Sequence, residues 1–155
     1  LQYEKGHDGQ FRDPAHGPSQ ILSCFATHDT PTIRGFETAH DVDWWEKLGS
    51  LGAQEATILR TARSHDVAAL QSLAQQEAPG FATSIHSLLA TASAELVCLQ
   101  LDDIVGETEA QNLPGTIDEH PNWRRRYSVH LRALADDAGV AELAQIMMRA
   151  GRGAK

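Results

Sequence analysis

The chain has 155 residues, of which 41% are apolar and 22% charged; this suits one ordinary globular domain and excludes two sizeable domains or a largely disordered chain. Thirteen Lys and Arg stand against 21 Asp and Glu, a net charge of −8, so nucleic acid is not expected as a partner through bulk charge. No apolar run reaches the roughly 18 residues of a membrane span, the polar opening Leu1-Gln2-Tyr3-Glu4-Lys5-Gly6-His7-Asp8 does not read as a signal peptide, and the missing initiator Met points to a piece of a longer polypeptide.

Residues 1–4 read as the end of a strand, and Gly6, Gly9, Pro14, Gly17 and Pro18 mark 6–19 as loop. Ile21 to Ala26 is short, apolar and bounded by turn signals, as expected of a strand buried on both faces in a parallel sheet. Thr30 before Pro31 predicts a helix N-cap with proline at the first helical position. A short helix is expected over 41–48, ending at Gly49. The Ala-, Leu- and Gln-rich stretch from Ala53 to Ala78 predicts two helices with a break near Ser64-His65-Asp66, where Asp66 would cap the second. Another helix is expected over 82–94, and Glu95 to Leu101 reads as a second buried strand. The C-terminal helices fall around 128–137 and 140–149, and the last residues, from Arg149 to Lys155, read as a frayed tail. Cys24 and Cys98, each among apolar neighbours, are expected as free buried thiols in a reducing, cytoplasmic compartment. Strands alternating with helices give an α/β class, and about three parallel strands make an incomplete sheet.

Three segments carry chemistry. His28-Asp29 at the end of a buried strand can stabilise positive charge or hold sugar hydroxyls, or Asp29 and Thr30 can simply cap the following helix. Asn112-Leu113-Pro114-Gly115-Thr116 is a turn with a donor–acceptor amide, and the following Trp123-Arg124-Arg125-Arg126 offers a sugar-stacking ring and carboxylate-pairing cations, or a solvated surface run. Eight histidines occur without HExxH or Cys-x-x-Cys spacing, so no metal or other cofactor is expected. Asp102-Asp103 reads either as a catalytic carboxylate pair or as a cap or solvated turn. Trp44 and Trp45 cannot share one helix face, so one is expected in the core and the other exposed.

Taken together these segments resemble the amylomaltases, the 4-α-glucanotransferases of glycoside hydrolase family 77. The matching stretches are Ala26-Thr27-His28-Asp29-Thr30-Pro31-Thr32-Ile33-Arg34-Gly35-Phe36, Gln100-Leu101-Asp102-Asp103-Ile104-Val105-Gly106, and Asn112-Leu113-Pro114-Gly115-Thr116 with Asn122-Trp123-Arg124-Arg125-Arg126. The resemblance spans nearly the whole chain but only the C-terminal part of the family. It implies the last three strands of a (β/α)8 TIM barrel, near 1–4, 21–26 and 96–101, completed by an upstream remainder. It implies transfer of a segment of an α-1,4-glucan to an acceptor sugar by two displacements with retention, with malto-oligosaccharides as partners. Asp29 matches the transition-state-stabilising carboxylate, and His28 the histidine that hydrogen-bonds the sugar. Asn112, and Trp123 as a stacking ring, would face the glucan. The family's nucleophile and acid/base carboxylates match nothing in this chain, so the chain alone is expected to be inactive; Thr30 also replaces the Leu of many relatives. The alternative is a non-catalytic malto-oligosaccharide-binding or interaction module, with Tyr3, Trp44 or Trp45 joining Trp123 as stacking platforms. In either case an incomplete sheet leaves Leu22 and Leu99 partly uncovered.

Overall fold

The computed structural model describes residues 1–74 and 79–153. In chain order the elements are a 3-10 turn at Pro14–His16, β1 (Leu22–Cys24), α1 (Ile33–Glu37), α2 (His40–Lys47), α3 (Ala53–Leu73), α4 (Phe81–Ala90), β2 (Leu96–Cys98), α5 (Leu101–Ile104), a 3-10 segment at Leu131–Asp136, and α6 (Ala138–Arg149). β1 and β2 pair in parallel, with Leu22 opposite Leu96 and Cys24 opposite Cys98.

The core lies under α1, α3 and α4. Phe81, Ile33, Leu70, Ile85 and Leu89 are fully buried. Phe25, just past β1, meets Phe36 edge-on at 5.4 Å and Phe81 at 6.4 Å, while Phe36 and Phe81 stack at 6.3 Å. Each such side chain contributes roughly 1.5–3 kcal/mol by leaving water, so this cluster fixes the end of β1 and, with it, the loop that follows. Arg63 ties α3 to the same region: its guanidinium forms a two-pronged pair with Asp41, both bonds 2.9 Å, and lies 4.1 Å over the Phe36 ring.

The sheet departs from expectation. Residues 1–4 form no strand. Glu4 N–H turns back to the Leu1 carbonyl at 3.1 Å, Leu1 N reaches the Cys24 carbonyl at 2.7 Å, and an isolated antiparallel bridge joins Lys5 to Phe11. The two strands are also not buried on both faces. Leu22 is 56% exposed and Leu96 63%, because among the described residues no further strand covers them. Leu99 is half-buried. Cys98 is exposed and Cys24 half-buried, so the buried-thiol expectation fails for the same reason. The segment expected to extend β2 to Leu101 instead turns into α5.

Among the helices, 53–73 is continuous. Ser64 Oγ donates to the Arg60 carbonyl within the helix, and Asp66 pairs with Lys5 Nζ at 2.7 Å instead of capping a second helix. Residues 75–78 of that expected run lie outside the described residues. The cap of α1 is Thr32, not Thr30: Thr32 Oγ1 accepts from Gly35 N at 2.9 Å. Thr30 closes the preceding turn, its hydroxyl accepting from Thr27 N at 2.8 Å. The segment expected as a helix over 128–137 is the 3-10 stretch. The tail is fastened: the Arg152 guanidinium donates to the carbonyls of Ala90 at 3.1 Å and Ala94 at 2.6 Å, and also to that of Ala92. Ala90 ends α4, where backbone carbonyls have no partner in the helix, and Ala92 and Ala94 follow it. Residues 154–155 of the expected tail lie outside the described residues. Among the described residues no helix is long and apolar enough to cross a membrane.

Candidate functional site

Two loops meet beside the sheet. The first, after β1, carries His28 and Asp29. The second, after α5, carries Glu109, Asn112 and, further on, Trp123. What brings them together begins at α1. Asp103, buried in α5, accepts from Ile33 N at 2.6 Å, and Thr32 Oγ1 donates to the Glu107 carbonyl at 2.7 Å. Gly35 lets the second loop lie against α1, because a Cβ there would overlap the Thr108 carbonyl oxygen.

The loops then close on each other. Asn112 Nδ2 donates to Asp29 Oδ1 at 2.7 Å, and Asn112 N donates to the His28 carbonyl at 3.1 Å. His28 Nε2 stands 3.2 Å from Asp29 Oδ2. The Asp29 and His28 side chains remain 47% and 59% exposed, so both stay open to a ligand while one edge of the carboxylate is held. Trp123 lies against His28 with ring centroids 5.2 Å apart and is 63% exposed. Its φ is 61°, the left-handed region that a bulky side chain rarely takes, and its N–H donates to the Gln111 carbonyl at 3.0 Å. The four residues singled out in the sequence are therefore neighbours.

A cavity of about 180 Å³ opens alongside, lined by Tyr3, Asp29, Asn112, Trp44, Glu109 and His120 among others. His28 and Trp123 stand outside its lining. Its floor is a cluster that sequence reading did not single out as a site. Glu109 Oε1 lies 2.7 Å from His40 Nε2; Glu109 Oε2 accepts from Trp44 Nε1 at 2.9 Å and lies 3.3 Å from His120 Nε2. Burial alone would raise the Glu109 carboxyl; the bonds from His40, Trp44 and His120 outweigh it and hold the group below the usual carboxylate range. His120, 1% exposed, turns its other ring nitrogen to Asn122 Oδ1 at 2.6 Å. Asn122 in turn accepts from Leu113 N and donates to the Thr116 carbonyl and hydroxyl, so the Asn-Leu-Pro-Gly-Thr turn is closed from inside. The signal for α2's part was present: His40 and Trp44 are four apart on a helix and share a face. Nothing local announced Glu109.

Other expectations resolve into structure. Asp102 and Asp103 are buried and not solvated; Asp102 accepts from Gln111 Nε2 at 2.7 Å and from the Tyr127 hydroxyl at 3.4 Å, while Asp103 serves α1. Trp44 and Trp45 are both half-buried, and both line the cavity, so neither is a core residue. Arg124 pairs with Asp118 at 2.7 Å and Arg125 with Glu107 at 3.3 Å. Among the described residues no three His, Cys, Asp or Glu side chains are grouped to hold a metal ion.

Comparison with known proteins gives the family and the fold. The sequence model of glycoside hydrolase family 77, 4-alpha-glucanotransferase, matches residues 1–132. The 4-alpha-glucanotransferase of Mycobacterium tuberculosis is 31% identical over 112 residues, 66% of this chain and 16% of that protein. That of Haemophilus influenzae is 25% identical over 140 residues, 80% of this chain and 20% of that protein. The crystal structure of amylomaltase from Corynebacterium glutamicum matches the fold with a TM-score of 0.83 at 24% identity, over 95% of this chain and 24% of that one. The chain spans between a sixth and a quarter of the length of these relatives. It belongs to glycoside hydrolase family 77, the 4-alpha-glucanotransferases.

Proposed function

We propose that residues 1–155 act as one unit: the part of a cytoplasmic 4-α-glucanotransferase that carries the transition-state carboxylate and one wall of the glucan site. The open sheet, with Leu22 and Leu96 uncovered, fits a segment of a (β/α)8 barrel whose remaining strands come from the rest of such an enzyme. The reaction is transfer of part of an α-1,4-glucan to the 4-hydroxyl of an acceptor sugar, with retention. Retention needs a nucleophilic carboxylate and a separate acid/base carboxylate. Asp29 is the site's exposed carboxylate and takes neither role. Its charge faces the developing positive charge of the sugar ring, and preorganised charge of that kind is worth most where little has to move. His28 offers a hydrogen bond to a sugar hydroxyl, Asn112 orients the carboxylate, and Trp123 presents an apolar ring face to the pyranose.

The observation that carries this reading is the 2.7 Å bond from Asn112 to Asp29. It joins the two loops that resemble the family's glucan-facing segments and leaves half of the carboxylate open. The test is a graft of residues 1–132 in place of the matching segment of a complete family enzyme, assayed by glucose release from maltotriose. The graft is expected to be active, and Asp29→Asn within it to lower kcat by about 10²–10³-fold. A folded graft without activity, or an Asp29→Asn graft as active as its parent, overturns the reading. The 155-residue chain by itself is expected to release no glucose.

A further inference from the structure

We propose that Glu109 is the positioning residue of this site: by gathering His40, Trp44 and His120 onto one carboxylate, it sets the second loop so that Asn112 meets Asp29 and Trp123 meets His28. The inference deepens the glucanotransferase reading and rests on it for the ligand, but not for the geometry.

Two anchors act on one group. His40 and Trp44 come from α2, a rigid helix held to α3 by Arg63 and Asp41. Glu109 comes from the loop three residues before Asn112. The bonds of 2.7 Å to His40 and 2.9 Å to Trp44 use both carboxylate oxygens, which fixes the plane of the carboxylate as well as its position. A single bond would leave the loop free to turn about it; two bonds to one helix do not. The third bond, 3.3 Å to His120, runs on through Asn122 to Leu113 N and Thr116. Glu109 therefore holds the loop on both sides of Asn112, with His120 edge-on to Trp44 at 4.9 Å. Among the described residues Asn112 itself is tied forward only to His28 and Asp29. Removing the Glu109 carboxylate leaves three donors in a part-buried floor without their acceptor. They turn to water, and the loop moves with them.

Glu109 also lines the same cavity as Asp29, but its side chain is 27% exposed against 47% for Asp29 and holds three ring partners, which distinguishes it from a group that meets the substrate. Its effect passes through Asn112.

The test reads that path in the 155-residue chain by NMR. In the parent chain Asp29→Asn is expected to move the side-chain amide signals of Asn112, since their acceptor changes from a carboxylate to an amide. With Glu109→Leu in place, the same Asp29→Asn change is expected to move them by less than half as much, and maltoheptaose affinity to fall at least tenfold. Glu109→Gln keeps an acceptor for Trp44 and is expected to retain part of both effects. Ile85→Val, expected to lower the melting temperature from the core, is expected to leave both intact, so that lost stability alone does not mimic the result. Full Asp29–Asn112 coupling in Glu109→Leu overturns the proposal. If Glu109→Leu does not fold, Glu109→Gln decides, and coupling equal to the parent's overturns it. A parent chain that ignores maltoheptaose but shows Glu109-dependent coupling overturns the glucan reading and supports the positioning role; a parent chain that binds the sugar with coupling indifferent to Glu109 does the reverse.

Discussion

Asn112 and Asp29 lie 83 residues apart in sequence and 2.7 Å apart in space, amide nitrogen to carboxylate oxygen. This contact converts two separate loops into one surface. Asn112→Ala removes the donor and leaves the Asp29 carboxylate held only at its other oxygen, by His28 at 3.2 Å. Because that carboxylate is about half exposed, water replaces much of the lost bond, and the cost is about 1 kcal/mol. The melting temperature is expected to fall by about 2–4 °C, and calorimetric titration with maltoheptaose to show binding weakened by up to roughly fivefold.

Trp123 sits in a left-handed conformation with φ of 61°, which costs a residue with a Cβ about 1–2 kcal/mol. The ring is 63% exposed and makes a tilted contact with His28, so burial does not repay the strain. Trp123→Gly relieves the strain but widens the freedom of the unfolded chain, worth about 0.5–1 kcal/mol in the opposite direction. Stability by denaturant titration is expected to stay within about 1 kcal/mol of the parent, whereas maltoheptaose binding weakens tenfold or more. A large loss of stability with unchanged sugar binding would mean that the ring serves packing.

Gly35 sets the spacing between α1 and the second loop. A methyl group there overlaps the Thr108 carbonyl oxygen and crowds the Thr32 hydroxyl at 3.1 Å. Backbone cannot yield as a side-chain tip does, so Gly35→Ala is expected to cost about 2 kcal/mol and to displace residues 107–112. Altered amide shifts of Glu109 and Asn112, seen by NMR, check it.

Which parts of this were legible in the sequence follows from how local their causes are. His28-Asp29 after an apolar run, and Pro114-Gly115 in a polar loop, are signals written within a few residues, and both loops were found. The role of Glu109 is not local, since its partners His40 and Trp44 lie 69 and 65 residues away. The continuous α3 was missed because Ser64 and Asp66 resemble a break; in the fold Ser64 bonds back along the helix, and Asp66 reaches Lys5 across 61 residues. Strand burial was overstated because apolar composition records what a strand can bury, not whether a neighbour is there to cover it.

Asp103 and His86 give the chain opposed pH responses. Burial, with Asp102 adding to it against the opposing Ile33 N–H bond, pushes the Asp103 carboxyl up from 3.8 to about 6. The fold then holds a proton that the unfolded chain has released, and stability falls as pH rises from about 4 to 6, by roughly 3 kcal/mol. Burial pushes His86 down from 6.5 to about 4. Here the unfolded chain holds the extra proton, and stability rises by a similar amount between about pH 4 and 6.5. The two nearly cancel over pH 4–6. Asp103→Asn keeps an acceptor for Ile33 N, and its stability is expected to climb with pH across that window. His86→Asn is expected to lose stability across it. Denaturant unfolding at pH 4, 5, 6 and 7 separates the two; a flat difference from the parent in both variants would contradict these assignments.

The most direct measurement is an NMR titration of the 155-residue chain with maltoheptaose. The account predicts saturable shifts concentrated on His28, Asp29, Asn112 and Trp123, with the exposed residues of β1 and β2 unmoved. No shifts at millimolar sugar, or shifts centred on another face, would contradict it.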